Sequence, residues 1–392
     1  MPDRMFDYHS HTKPVSDILS RGEPQKSSFQ NAFSNKYEFK AKREKGPHRF
    51  LDPDILTCEE VVNLLTLNEK ESSNVLSSIA QERAIDIISK RLPTQKEKQE
   101  IQEQVYDWLE KVEADPQLTR QAIHEEVEKT DREVEEFMKA NSELIAKANS
   151  TIMEIVKKYN ISINEEDFRR IYFISRWRHR AIKLKTGQPP EPVYMALGEH
   201  EPVFEYLYIN PLFNSRVLET MDTYIHEFFH RLEVQEFWEV IDQVSNTSGI
   251  FPKRGGLYFN DPRFGEFFHD LNEAVVRKVA TEASLLLRQS VEDGTCSIHS
   301  DSGSADKSME YMAREVSWET FINAVYQPGA FRNLYMAFEK KFGRFSLFVF
   351  AKIIKDPEKV KLFIENFSYR SLFLKNEALR IENIREQSVT SF

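Results

Sequence analysis

The sequence predicts an α+β fold that is mostly helical, in which a short sheet precedes one helix with a distinctive polar pattern. Two observations predict this class. Most of the 392 residues lie in stretches whose apolar side chains recur every three or four positions, the spacing of a buried helix face. Two short stretches are instead typical of strands, Val193–Leu197 and Val203–Asn210, and Pro211 ends the second one.

The composition is that of a globular protein, with 40% hydrophobic and 30% charged residues. The formal net charge of −10 argues against a general nucleic-acid-binding protein. Cys58 and Cys296 lie far apart, which indicates a reducing compartment and no disulfide framework. The first residues contain no apolar core of signal-peptide length, and no run approaches the ~18 apolar residues that cross a bilayer. We therefore expect a cytoplasmic protein without a membrane partner.

Residues 1–50 are polar and without sustained periodicity, which predicts a disordered or loosely ordered tail. Within them, Asp7, His9 and His11 form a D-x-H-x-H pattern like that of some barrel metal sites. Such sites need further ligands from later strands, and no alternating strand–helix pattern follows. We interpret this pattern as part of a flexible tail.

Residues 51–160 are predicted to form a helical N-terminal region. Helical spacing covers Asp54–Leu65 and Ser72–Leu92. Thr94 and Glu97 then form a capping-box pattern that begins another helix, and Asp115-Pro116 ends it.

A longer helix is predicted from Gln117 to about Tyr159, a segment free of Pro and Gly. Its apolar positions repeat every seven residues, so it is either a coiled-coil surface for a protein partner or a scaffold helix packed on its own chain. Polar residues interrupt the repeat, which favours the scaffold: Thr130, Asn141 and Thr151.

Residues 161–375 are predicted to form a second domain, followed by a polar tail at 376–392. The domain begins with a basic run, Arg169–Lys185, interpreted as a solvated face rather than a nucleic-acid contact. After the two strands, the apolar spacing predicts a helix over Ser215–Val244. The Gly and Pro residues of Asn246–Gly265 then predict a loop, with a hairpin as the alternative. The helices predicted beyond that loop are Arg263–Gln289, Ser308–Val325, Phe331–Phe342, Arg344–Lys355 and Lys359–Leu374.

The distinctive pattern is HEFFH, in which His226, Glu227 and His230 have the spacing H-E-x-x-H. Positions i and i+4 share one face of a helix, so the two imidazoles can hold one metal ion from the same side. Glu227 follows the first histidine and is placed to accept a proton from a water on that ion. This arrangement is typical of zinc (Zn2+) sites in metalloproteases.

A catalytic zinc needs a third protein ligand. A histidine six residues after the second one is excluded, because that position is Glu236. The alternative is a glutamate from the following helix, for which the candidates are Glu266, Glu273 and Glu282.

The order of these features resembles the gluzincins, the thermolysin-like zinc metallopeptidases, and among them the compact intracellular bacterial members. A strand ends in Ile209-Asn210-Pro211, a helix carries HEFFH, and Asn272-Glu273-Ala274 follows on the next helix. The resemblance covers about residues 165–355 and implies a zincin-like domain that cleaves peptide or protein substrates. It also implies His226, His230 and Glu273 as metal ligands and Glu227 as general base. Tyr311 is then expected to stabilise the oxyanion, with His299 as its competitor.

One position departs from the family. Thermolysin-like members have an aspartate four residues after the ligand glutamate, where it supports a ligand histidine. Here that residue is Arg277, so either Asp222 or Asp270 takes this role, or Glu273 is not the ligand and Glu266 becomes the next candidate.

Two other functions stay open. Glu227 with His230 and Glu266 with His269 form two E-x-x-H pairs, the pattern of di-iron carboxylate bundles. The Gly- and Pro-rich stretch between them argues against such a bundle. The other alternative is a catalytically inactive zincin-fold binding protein, whose N-terminal helices bind a protein partner.

Overall fold

A computed structural model describes residues 37–42, 56–91, 94–164, 166–169, 171–186, 198–201, 206–212, 216–242, 247–261, 265–291 and 304–389. It confirms a mostly helical α+β fold with a few short strands. In this part of the chain, every helix is too short or too polar to span a bilayer. The D-x-H-x-H pattern, the strand expected at 193–197, Cys296 and His299 lie outside the described residues.

Between residues 56 and 164, the described part of the chain forms five helices: α1 (Cys58–Leu67), α2 (Glu69–Arg91), α3 (Gln95–Glu113), α4 (Pro116–Ala140) and α5 (Ser142–Lys158). Thr57 and Thr94 begin α1 and α3 with complete capping boxes, the second of which confirms the sequence prediction. Asp115 caps α4, and Pro116 occupies its first turn, where the missing N–H costs nothing.

The long segment forms two consecutive helices, not the single helix that was predicted. Asn141 separates α4 from α5 with φ −113° and ψ 15°, and its side-chain amide donates to the Phe137 carbonyl at 2.8 Å. Val127, Val134 and Ile155 are all at most 6% exposed. The heptad positions therefore pack on this chain, which confirms the scaffold interpretation.

Two sheets are present in the described residues. The larger is antiparallel, with the order β1 (Tyr37–Lys42), β5 (Gln235–Asp242), β6 (Thr247–Gly255), β7 (Tyr258–Asp261), β8 (Gly265–Phe267). The smaller has the order β2 (Ile171–Phe173), β4 (Tyr206–Ile209), β3 (Gly198–Glu201), with β4 parallel to β2 and antiparallel to β3.

The first sheet corrects two predictions. The helix with HEFFH, α8 (Val217–Arg231), stops well before Val244, and the chain continues as β5. Residues 235–242, QEFWEVID, combine aromatic and β-branched residues that suit a strand, and a hairpin partner, β6, follows directly. Residues 1–50 are also not wholly a loose tail, because β1 pairs with β5 along its length.

In the basic run, the arginines whose side chains are described do not form a solvated face. It begins at the last residue of α6 (Glu166–Arg169) and continues into α7 (Arg176–Thr186), whose arginines pair with carboxylates of the N-terminal helices. Arg180 forms a buried ion pair with Glu71, and Arg178 pairs with Asp131. These guanidinium groups bind carboxylates of the same chain.

Seven helices complete the fold: α9 (His269–Ser290), α10 (Ser304–Glu315), α11 (Trp318–Tyr326), α12 (Phe331–Phe342), α13 (Ser346–Ile353), α14 (Pro357–Glu365) and α15 (Phe367–Val389). The polar tail predicted at 376–392 is helical as far as Val389, because α15 continues through it. Glu377 of α15 is buried and pairs with Lys352 and Arg380.

The hydrophobic core has two clusters, and β4 lies between them. Leu207 and Ile209 belong to the larger cluster with α5, α8, α9 and the C-terminal helices, while Tyr208 belongs to the smaller one with α7 and the N-terminal helices. Successive side chains of a strand point to opposite faces, so the small sheet joins both clusters. Each cluster takes residues from both sides of residue 160, and α8 lies within the larger cluster.

Candidate metal centre

The site is built where α8 crosses α9. One face of α8 is fully buried and anchors the helix in the larger cluster: Met221, Tyr224, Ile225, Phe228 and Phe229. On α9, Leu271, Ala274 and Val275 are buried in the same way. Because the apolar residues fix the rotation of each helix, the half-buried residues His226 and His230 of α8 and Glu273 of α9 point into the angle between the two helices.

Three side chains converge in that angle. The Nε2 atoms of His226 and His230 lie 3.1 Å apart, with the two rings at 82° to each other. Glu273 places one carboxylate oxygen 3.6 Å from Nε2 of His226 and the other 3.3 Å from Nε2 of His230. The structure thus brings together the three residues expected from the sequence as metal ligands, from two different helices.

The charges of this group also suit a cation. Burial opposes ionisation of Glu273, yet the adjacent His230 and His226 hold the pKa of its carboxyl well below its usual range. Two imidazole nitrogens and a carboxylate oxygen form a donor set that zinc accepts at catalytic sites, with one position left for water. The residues therefore fit a zinc ion.

A second carboxylate supports the group from behind. Oε1 of Glu233 lies 2.7 Å from Nδ1 of His230, and the Asn272 side-chain amide donates to the same oxygen at 2.7 Å. Asn272 in turn accepts a hydrogen bond from the Leu257 backbone N–H at 2.7 Å. Glu233 is 8% exposed, so this is a buried polar chain whose members are bonded to each other.

Glu233 was not among the candidates from sequence for this supporting role. Asp222 pairs with Arg288, and Asp270 pairs with Lys355 at 2.9 Å, so neither contacts a site histidine in the described structure. Arg277 binds Asp306. One signal in the sequence could have identified Glu233: it lies three residues after His230, a spacing at which helical side chains meet.

The turn between β6 and β7 makes room for this chain of bonds. Gly256 has a φ of +55°, and a Cβ atom there would lie 2.4 Å from Oδ1 of Asn272 and 3.1 Å from Cδ of Glu233. Only glycine meets both requirements without displacing a neighbour.

Glu227 lies beneath the small sheet. A Cβ atom on Gly198 would come within 2.9 Å of Cγ of Glu227, so β3 passes close to the stem of this side chain. β4, which lies within the predicted strand Val203–Asn210, is the central strand of the small sheet, and β3 ends the sheet as described.

Tyr311 lies on α10, where its ring packs at the margin of the core with the Arg314 guanidinium 5.8 Å from its centroid. Another tyrosine, Tyr326, is exposed to the charges of the site residues Glu233 and Glu273. It is 3% exposed, and its hydroxyl has no hydrogen-bond partner among the described residues. Burial and the charges of Glu233 and Glu273 raise the pKa of Tyr326 well above its usual value, so this hydroxyl keeps its proton.

The backbone before Tyr326 is tied to the site. The Val234 N–H donates to the Val325 carbonyl at 3.0 Å, and Arg254 donates to the Ala324 carbonyl at 3.0 Å. Tyr326 was not predicted from the sequence. Several tyrosines follow Glu273, and no local pattern shows which of their side chains points towards the site.

The other glutamate candidates lie elsewhere. Glu282 binds Lys158 and the Tyr159 hydroxyl. Glu266 is exposed on β8, while His269 begins α9. The second E-x-x-H pair therefore spans a strand–helix junction, unlike the helical pairs of a di-iron bundle.

Comparisons of this chain with protein-family models, with curated proteins and with solved structures find no match. The likeness to gluzincins therefore rests on the motif and on the residues that surround it.

Proposed function

We propose that this protein is a zinc-dependent peptidase with a zincin-like domain. The observation that carries the proposal is the convergence of His226, His230 and Glu273 from two helices, with their facing atoms 3.1 to 3.6 Å apart. A zinc ion held by these residues would supply Lewis acidity, which would lower the pKa of a water and polarise a peptide carbonyl. The two cysteines, which form no disulfide framework, make a cytoplasmic location part of the proposal.

Glu227 acts as the general base. It adjoins His226 in sequence but is not one of the converging side chains, so its carboxylate is free for proton transfer. It takes a proton from the attacking water and passes it to the leaving amine nitrogen.

Tyr326 acts as the donor to the developing oxyanion, in place of Tyr311. Its hydroxyl is buried, protonated and unbonded among the described residues, and the charges of Glu233 and Glu273 act on it. A fixed donor in a buried site stabilises negative charge without having to reorganise first.

The backbone of β3 binds the substrate. β3 is the outer strand of the small sheet as described and passes close to the stem of Glu227, so an extended peptide that pairs with it would pass the base. Main-chain pairing accepts many sequences, and this supports a peptide or unfolded protein as the substrate class.

The proposal is tested by comparing metal content and peptide cleavage in the wild-type full chain and in His230→Ala. The substitution is expected to remove one equivalent of zinc together with hydrolysis of unfolded protein and peptide libraries. His269→Ala is the matched control and should keep both. Loss of iron from His269→Ala would favour a di-iron protein instead, and a zinc-loaded wild type that cleaves nothing would favour a non-catalytic binding protein.

A further inference from the structure

A second group of metal-ligating side chains lies in the N-terminal helices, where α1 packs beside α4. Cys58 is the first residue of α1, directly after its cap. His124 and Glu128 lie one turn apart on α4, with Nδ1 of the histidine 3.8 Å from Oε2 of the glutamate. The thiol, imidazole and carboxylate each offer one atom, and the three atoms lie within 4.8 Å of one another.

The chemistry of these donors selects a class of ion. A thiolate and an imidazole are ligands for zinc and similar transition metals, whereas magnesium and calcium take oxygen atoms. With metal–ligand distances of about 2.0 to 2.3 Å, the ligands of a tetrahedral zinc lie about 3.3 to 3.8 Å apart. Small side-chain rotations would close the group to that size.

The surroundings add negative charge. Burial, then the carboxylates of Asp131 and Glu128, raise the pKa of the Cys58 thiol. Arg178 is the neighbouring cation, but it is bound to Asp131 and to the Leu56 carbonyl. A divalent cation at the thiol would reverse this effect, because it stabilises the thiolate and the Glu128 carboxylate together.

We propose that Cys58, His124 and Glu128 bind a divalent transition-metal ion of the zinc type that joins α1 to α4. His124 and Glu128 are partly exposed, with side-chain exposures of 39% and 48%, so the ion reaches the site from solvent. The ligands come from two helices, and an ion that binds only the folded arrangement stabilises it. This site is separate from the centre between α8 and α9 and does not depend on the proposed peptidase activity.

The test uses cobalt(II) as the probe in metal-free, reduced full-length protein. The α8–α9 centre has no sulfur ligand, so a thiolate-to-cobalt charge-transfer band reports on this second site alone. We expect the band in the wild type and its loss in Cys58→Ser. Cys296→Ser is the matched control and should keep it.

Two further variants test whether His124 and Glu128 bind the metal ion together with Cys58, or whether the thiol binds it alone. His124→Gln and Glu128→Gln should each weaken cobalt binding at least tenfold, while His230→Ala should leave the band unchanged. Circular dichroism verifies that each variant is folded. The proposal is overturned if the wild type shows no band, if Cys296→Ser removes it, or if both α4 variants bind cobalt as tightly as the wild type.

Discussion

The Glu233 carboxylate lies 2.7 Å from Nδ1 of His230, and this contact sets how that imidazole faces the site. A carboxylate only accepts hydrogen bonds, so Nδ1 carries a proton, and Nε2 is the atom of this imidazole that can hold a metal ion beside Glu273. Zinc-binding histidines commonly have such a partner, which fixes the tautomer and the orientation of the ring. Asn272 holds the carboxylate in place from the other side.

Glu233→Gln should therefore weaken zinc binding. An amide in this position is a poorer acceptor from Nδ1, and losses of about 10- to 100-fold in metal affinity are typical of such changes. Competition with a chelator measures the affinity. Glu266→Gln is the control, because Glu266 is exposed and is not part of the converging group. Equal affinities in the two variants would remove Glu233 from its supporting role.

Gly256→Ala should destabilise the protein and loosen the site. The new methyl group would collide with Oδ1 of Asn272 while the residue is held at φ +55°. Strain of this kind costs on the order of 1–3 kcal/mol, and the displaced Asn272 and Glu233 would lower zinc affinity as well. Urea unfolding and a zinc titration measure the two effects.

Gly329→Ala separates the two causes. Gly329 has φ +80°, but a Cβ atom there meets nothing within 4 Å. It therefore carries the backbone strain without the collision, and we expect a smaller loss of stability and unchanged zinc affinity. If both variants lose the same stability and bind zinc equally, the close approach to Asn272 has no effect of its own.

The sequence predicted the parts of the site that local geometry decides. The i, i+4 spacing placed His226 beside His230, and the resemblance selected Glu273, which the structure brings to both. The strand β5 was missed because the apolar residues of 235–242 match helical and strand spacing alike, and only pairing with β1 and β6 decides between them. Local propensity does not contain that information.

Tertiary contacts decided the remaining features. A basic run signals a charged surface when it is considered alone, but Glu71 and Asp131 come from helices far away in sequence. The inward direction of Tyr326 likewise depends on how α11 packs against the site, and no spacing rule predicts that. The sequence therefore predicted the three converging residues better than it predicted the side chains that surround them.

The buried ion pair of Arg180 with Glu71 gives a prediction about the N-terminal helices. The Arg180 side chain is 7% exposed and that of Glu71 1%, so removing one partner leaves the other charged group in a dry interface. Glu71→Gln should lower the free energy of unfolding by about 3–5 kcal/mol. The double variant Glu71→Leu with Arg180→Met should recover most of this loss, since no uncompensated charge remains. Urea unfolding measures both, and an equal loss in the two would mean that the charges are not the cause.

Glu227→Gln should separate metal binding from catalysis. The amide keeps the size of the side chain but cannot take a proton, and loss of a general base typically costs about 10²- to 10⁴-fold in rate. Zinc content and melting temperature should stay near the wild-type values, because Glu227 is not in the converging group. Kinetics on a cleaved peptide and metal analysis of the same preparation measure the two properties. Cleavage at the wild-type rate would exclude the proposed base.

Tyr326→Phe and Tyr311→Phe together decide which tyrosine stabilises the oxyanion. The Tyr326 hydroxyl is buried and has no partner among the described residues, so removing it breaks no hydrogen bond and should leave stability unchanged or slightly raised. Zinc content should also be unchanged. The rate of peptide cleavage should fall by about 10²- to 10³-fold, the usual effect of losing one oxyanion donor, and the loss should appear in kcat.

Tyr311→Phe should cleave like the wild type, because the Tyr311 ring lies beside Arg314 at the margin of the core. The opposite result, a slow Tyr311→Phe and a normal Tyr326→Phe, would return the role to Tyr311.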